Sequence, residues 1–224
     1  EGADIIDVGG ESTRPNYTRI TDEEEIERVL PVIEAIRKNW DIPISIDTYK
    51  SRVAKAACQA GADLINDIWG LKYDPDMAET VKSCKAAVCI MHNRMSKDYS
   101  DFWKDFKAEL SESLSLAEEA GIAKDKIILD PGIGFGKTYE MNLTLIRHLE
   151  LLKEFDYPIL LGTSRKSVIG LTLNETVDHR LEGTIATSVI AVMKGCHFIR
   201  VHDVKENLRA VRMAEAILYS RDIK

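Results

Sequence analysis

KIILDPGIGFGKT, residues 126–138, decides how this chain is read. A short apolar run, Ile127 to Leu129, stops at Asp130; a loop with three glycines follows, and a helical pattern opens at Thr138. A carboxylate placed directly behind aliphatic residues is costly unless something pairs with it, so a hydrogen-bonding ligand is one explanation. Asp also favours turns and helix caps, and taken alone Asp130 fits that use equally well. The loop has neither the Walker spacing nor the last glycine of a dinucleotide fingerprint. It suits a tight turn that lets a flat ligand approach the backbone.

The same arrangement recurs outward in both directions. Apolar runs lie at 3–8, 42–47, 62–68, 86–91, 126–132, 157–162 and 197–203, rich in Ile, Val and Leu with little alternation. Such runs fit parallel strands buried on both faces. Amphipathic segments separate them. The clearest is TDEEEIERVLPVIEAIRKN (21–39), with Thr21 as N-cap, Glu24 at the capping-box position and Ile26, Val29, Leu30 and Ile33 on one face. Pro31 inside it predicts a kink or an early break. Gly61, Gly121 and Gly195 stand where helices should end. With no linker or change of composition, residues 1–224 read as a single domain of alternating β/α units.

Nearly every run ends in chemistry: Asp7, Asp47-Thr48, Asn66-Asp67, His92-Asn93, Asp130, Ser164-Arg165-Lys166, and Arg200-His202-Asp203. An open doubly wound sheet gathers its site from two or three strands at one switch point. A closed barrel draws on the C-terminal ends of many strands, which fits this pattern better. Asp47 and Asn66 share the turn-former alternative with Asp130. Asp7 also reads as part of a network beneath a site, and His92 and His202 as satisfied structural histidines. The adjacent cations of LGTSRKS (161–167) follow a buried strand, where a phosphate or a stacked aromatic explains them better than solubility.

The net charge of −7 argues against a nucleic-acid surface, while a few local cations still permit an anionic small substrate. No apolar run approaches the roughly 20 residues that span a bilayer, and the opening EGADIIDVGG lacks the basic region of a signal peptide. A cytoplasmic enzyme without membrane or nucleic-acid partners is expected. Cys58, Cys84, Cys89 and Cys196 form no CxxC pair and read as free buried thiols.

Taken in order, GADIIDVGGESTRP, PISIDTYK, INDIWG, MHN, ILDPGIGFGKT, LLGTSRKS, RLEGT and RVHDV resemble the dihydropteroate synthase family across essentially the whole chain. The resemblance implies a TIM (β/α)8 barrel. It also implies condensation of 6-hydroxymethyl-7,8-dihydropterin pyrophosphate with p-aminobenzoate to 7,8-dihydropteroate and pyrophosphate, a step of folate biosynthesis that sulfonamides inhibit. By the same resemblance Asp47, Asn66, Ile68, Met91, Asp130, Gly162, Lys166 and Arg200 bind the pterin. Thr13, Arg14, Phe135, Lys166 and Ser167 take p-aminobenzoate, and Arg200 and His202 face the pyrophosphate. Asp47, Asp130, Lys166, Arg200 and His202 would carry the catalysis. Family members are commonly dimers, so a homodimer is expected.

The pattern departs from the family at its start. The family's first strand, with the loop whose Asn binds magnesium and pyrophosphate, has no counterpart in these residues. Mg2+ is thus expected as cofactor with no metal ligand in this chain. Because a barrel short of one strand exposes two sheet edges, a preceding strand is expected in the protein. Val168 stands where a larger residue is common, which widens the p-aminobenzoate side. Two rivals share parts of the pattern. A methyltetrahydrofolate:corrinoid methyltransferase would keep the pterin-holding aspartates and asparagine but would not need SRKS or the Arg200–His202 anion site. A non-catalytic pterin-binding barrel would bind without turnover.

Overall fold

The computed structural model describes residues 1–12 and 18–220. All seven apolar runs form strands, each shorter than its run: β1 (Ile6–Gly9), β2 (Ile44–Asp47), β3 (Leu64–Asp67), β4 (Ala87–Met91), β5 (Ile127–Asp130), β6 (Leu160–Leu161) and β7 (Phe198–Ile199). Helices alternate with them: α1 (Asp22–Asn39), α2 (Ser51–Ala60), α3 (Met77–Cys84), α4 (Phe102–Glu119), α5 (Tyr139–Arg147), α6 (Ser167–Leu173), α7 (Leu181–Met193) and α8 (Val204–Leu218). No helix among the described residues is long and apolar enough to cross a membrane.

The packing groups the chain into two compact units. The first contains Asp4–Asn93 and Trp103–Ile128; the second contains Glu1–Ala3, Arg94–Phe102 and the chain from Leu129 onward. In the first unit β1 to β4 pair in sequence order, all parallel. Ile44, Ile46, Ile65, Val88 and Ile90 are fully buried, together with Val29 and Ile33 of α1 and Phe106 and Leu110 of α4. Each such side chain contributes roughly 1.5–3 kcal/mol, enough to hold polar groups at the strand ends. In the second unit β6 and β7 pair in parallel, and Leu129 bridges to Ile159.

Local signals act mostly as expected. Thr21 accepts from the Glu24 N–H at 3.1 Å, and Gly61 ends α2 in the left-handed conformation. Two expectations fail. Pro31 does not interrupt α1, which continues to Asn39, because Pro31 and Glu27, whose carbonyl loses its partner, both lie on the exposed face. The helical pattern that opens at Thr138, running TYEMNLTLIRHLELLKEF to Phe155, does not form one helix: α5 stops at Arg147, and a tighter 3-10 segment, Leu149–Phe155, follows and buries Leu149 and Leu152. Of the four free cysteines only Cys89 is buried, the other three being half-buried.

Candidate functional site

In the first unit the polar residues sit at strand ends in fixed register. Asp47 lies opposite Gly9 on one side and Asn66 on the other. Asn66 lies opposite Cys89 and is 6% exposed; Ile68 and Met91 are buried just beyond β3 and at the end of β4. A Cβ at Gly9 would stand 3.3 Å from that of Asp47, so the bare glycine leaves room beside the carboxylate. His92 is fully buried, its Nε2 2.9 Å from a Glu109 carboxylate oxygen and its ring against Phe106. This is the structural partner that the sequence reading left open.

Asp67 behaves differently from its neighbour. It is buried and accepts from the Trp69 and Leu71 N–H groups at 2.9 and 2.7 Å, closing the turn in which Gly70 and Leu71 have positive φ. Burial pushes its carboxyl up to about 6, against those two hydrogen bonds. Sequence reasoning grouped Asp67 with Asn66; the geometry gives it to the backbone.

In the second unit Asp130 ends β5, and the other site groups come from loops and a helix start. Asp130, 5% exposed, accepts from the Gly132 N–H at 2.7 Å. Burial raises its carboxyl above the usual range, opposed by the cations Lys166, Lys137 and Arg200 and by that hydrogen bond. Gly162 follows β6. A Cβ built there would lie 3.8 Å from the Arg200 Cβ, 3.9 Å from Asp130 Oδ2 and 3.9 Å from Lys166 Nζ. The Asp130 carboxylate, the Lys166 ammonium and the stem of Arg200 thus meet around a residue with no side chain, and the Arg200 charge acts on Asp130. Lys166 Nζ donates to the Ile133 carbonyl at 2.6 Å and stands 4.9 Å from the centre of the Phe135 ring.

The glycine loop is braced from inside by a residue the sequence reading passed over. Lys137 is 3% exposed and donates to the Gly132 and Phe135 carbonyls at 3.0 and 2.9 Å. At Gly136, with φ of 55°, a Cβ would come within 2.5 Å of the Arg94 carbonyl oxygen, so a larger residue is barred there.

The cation pair of SRKS divides. Arg165 binds Asp203 through two nitrogens, at 3.1 and 2.6 Å, while only Lys166 meets Asp130 and Phe135. Arg165 holds a strained φ of 58°, kept there by Thr184, which accepts from its N–H, and by Arg180, which donates to its carbonyl. That turn presents exposed Ser167 at the start of α6. His202 is exposed, and its Nδ1 lies 2.8 Å from the Ser164 hydroxyl. Thr13 and Arg14 lie outside the described residues. Among the described residues no group of three or more His, Cys, Asp or Glu side chains forms a metal cage.

Known proteins match this chain closely. The family described as pterin binding enzyme matches residues 1–202. The dihydropteroate synthase of Clostridium beijerinckii is 57% identical over 218 residues, covering 97% of this chain and 81% of the relative. That of Bacillus subtilis is 49% identical, covering 97% and 76%. Among solved structures, a dihydropteroate synthase of Clostridium difficile crystallised with pteroic acid is 50% identical, with a TM-score of 0.96 over 98% of this chain and 84% of its own. A Yersinia pestis dihydropteroate synthase in complex with a sulfonamide drug is 41% identical, with a TM-score of 0.94 over 98% and 82%.

The chain belongs to the pterin-binding enzymes, and its parallel α/β architecture is that of their TIM barrels. Within that family it is a dihydropteroate synthase, a transferase.

Proposed function

We propose that the residues described above divide the condensation between them as follows. Asp47, Asn66 and Asp130 pair with the amide and amino edge of the pterin, and Ile68 and Met91 form its apolar walls. Lys166 and Arg200 also bind the pterin, with Gly162 leaving room beside them. Phe135, Ser167 and Lys166 receive p-aminobenzoate, together with Thr13 and Arg14. Arg200 and His202 take the pyrophosphate. The observation that carries this reading is the meeting of Asp130, Lys166 and Arg200 around bare Gly162.

The chemistry follows from those charges. The bond between the pterin methylene carbon and its oxygen breaks, and the departing pyrophosphate takes the electron pair. The electron-rich ring carries the resulting cation while the Asp130 or Asp47 carboxylate opposes its charge, and Arg200 and His202 steady the leaving anion. The aniline nitrogen of p-aminobenzoate then bonds to the methylene carbon and releases its proton to water. No covalent enzyme intermediate forms. Mg2+ belongs to this reading as a companion of the substrate's phosphates, the usual setting for that ion. The described residues supply no cage for it.

Cytoplasmic action, sulfonamide inhibition and a homodimer complete the proposal. The dimer is supported by α7 and α8, which pack together and leave Ile190, Met193, Met213 and Ile217 exposed. The test is calorimetry with dihydropterin pyrophosphate and Mg2+, followed by a pyrophosphate-release assay. Binding, and release that depends on p-aminobenzoate, are expected. Pterin binding without release would reduce the chain to a binding protein.

A further inference from the structure

Helix α7 buries hydroxyls where a core helix would carry aliphatic side chains. Thr184 and Ser188, one turn apart, are both fully buried. A buried hydroxyl is costly unless it is hydrogen-bonded, and both of these are used. Thr184 accepts from the Arg165 N–H at 3.2 Å, and Ser188 donates to Asn207 Oδ1 at 2.8 Å. Asn207, 2% exposed, donates in turn to the Asp203 carbonyl at 2.8 Å. One face of α7 thus holds two loops of the second unit, the turn after β6 at Arg165 and the turn after β7 at Asp203.

The same two loops are joined to each other by consecutive pairs. Ser164 Oγ lies 2.8 Å from His202 Nδ1 and accepts from the His202 N–H at 3.2 Å. The next residues, Arg165 and Asp203, meet through two guanidinium nitrogens at 3.1 and 2.6 Å. A partly exposed ion pair adds little stability, so what its bidentate geometry supplies is a fixed relation between the loops. The positive φ of Arg165 belongs to this arrangement: a strained bulky residue persists only where its surroundings over-determine it. One loop carries Lys166 and the other Arg200. These two cations, with Lys137, act on the Asp130 carboxylate; the nearby Cys196 thiol, which burial and Asp130 push up to about 12, stays neutral.

We propose that Arg165 and Asp203 are positioning residues, whose ion pair bolts the Lys166 loop to the Arg200 loop and keeps both cations close together beside Asp130. This rests on the reading above that gives Asp130, Lys166 and Arg200 to the reaction.

The experiment compares Arg165→Gly, Asp203→Asn and the double variant in the full chain; glycine suits the positive φ at residue 165. Two quantities are measured: kcat/KM for pyrophosphate release, and the titration of Asp130 in the substrate-free protein by carboxyl carbon NMR, its signal identified by loss in Asp130→Asn. Each single variant should lower kcat/KM about tenfold, and the double variant by no more than about the same factor, because the bolt breaks only once. Both single variants should move the Asp130 titration to higher pH, since both let the cations drift from it. Acting only through their own charges, the two variants would shift Asp130 in opposite directions: loss of the Arg165 cation upward, loss of the Asp203 anion downward. Opposite shifts therefore overturn the proposal. So does a double variant whose loss equals the product of the two single losses, or a folded Asp203→Asn within twofold of wild type. Should Arg165→Gly fail to fold, Asp203→Asn carries the test, because an upward shift there cannot come from removing a negative charge. Asp130→Asn with wild-type turnover would overturn the functional reading instead, and the Asp130 titration, read without substrate, would then still decide whether the bolt exists.

Discussion

The two units bring different chemistry to their strand ends. In the first, Asp47, Asn66 and Asp67 are the last residues of regular strands, and ladder register spaces them. In the second, β6 and β7 have two residues each; Lys166 lies beyond β6, its side chain bonded to the Ile133 carbonyl, and Arg200 directly follows β7, its N–H bonded to the Leu161 carbonyl. Register is well suited to matching the hydrogen-bonding edge of a flat heterocycle, because it fixes donors and acceptors at set intervals. Charge stabilisation tolerates looser placement but needs cations close together, which loops with bare glycines permit. The difference predicts that neutralising charge in the second unit costs turnover, whereas altering strand-end groups in the first costs binding or stability.

The sharpest way to break that contrast is Asp130→Asn. It preserves shape and removes the carboxylate beside Gly162, and kcat/KM should fall by about a thousandfold, at the upper end for loss of one preorganised group. Because burial raises this carboxyl, the wild-type acid limb of kcat/KM should fall above the ordinary aspartate range, and the variant should lack it. A variant within tenfold of wild type in pyrophosphate release would show that the charge of the second unit is not what drives the step.

Lys166→Met comes next. It keeps the stem against Gly134 and deletes the cation facing Asp130 and Phe135. About a hundredfold loss in kcat/KM is expected, shared between both substrates, since Lys166 serves each in the reading above. A loss confined to one KM would restrict Lys166 to that substrate. Lys137→Met acts one step further out, on the carbonyls of the glycine loop. About a tenfold loss is expected, with lower thermal stability, because two buried acceptors lose their donor. Steady-state kinetics and a melting curve on the same preparation separate the two effects.

How much of this was legible in the sequence depends on distance along the chain. The seven strands, the Thr21 cap and the Asp130 glycine loop were readable because their causes lie within a few residues of each other. Glu25 and Lys50 carry no local sign of burial, and the ion pairs of Lys50 with Glu25 and Glu11 join residues that no local window contains. Lys50 is 39 residues from Glu11, and Arg165 is 38 from Asp203. Only folding showed that Arg165 is engaged with Asp203 while its neighbour Lys166 faces Asp130. Pro31 misled for the opposite reason: a local rule was applied at a position whose exposure makes the lost hydrogen bond tolerable.

Asp67→Asn should affect turnover least, and it isolates what a strand end costs in stability. The carboxyl is buried and bonded to the Trp69 and Leu71 main-chain N–H groups, and burial raises it from 3.8 to about 6. The folded protein therefore binds a proton more tightly than the unfolded chain does. Stability from this group is fully present below pH 3.8 and is lost as pH rises toward 6, the reverse of a salt-bridged aspartate. Over that interval the loss is on the order of 3 kcal/mol, and above it the group's contribution is flat. Asparagine cannot ionise, so the wild-type minus variant difference in unfolding free energy should shrink by that amount between about pH 4 and pH 6. Urea midpoints across the range measure it, and taking the difference removes the other carboxylates. At neutral pH the two proteins should be close, because the charge removed offsets the acceptor lost to the Trp69 or Leu71 N–H. A difference that stays level with pH would mean that Asp67 titrates normally. The first unit would then hold its buried carboxylate at no cost, and the contrast with Asp130, whose burial is opposed by three nearby cations, would disappear.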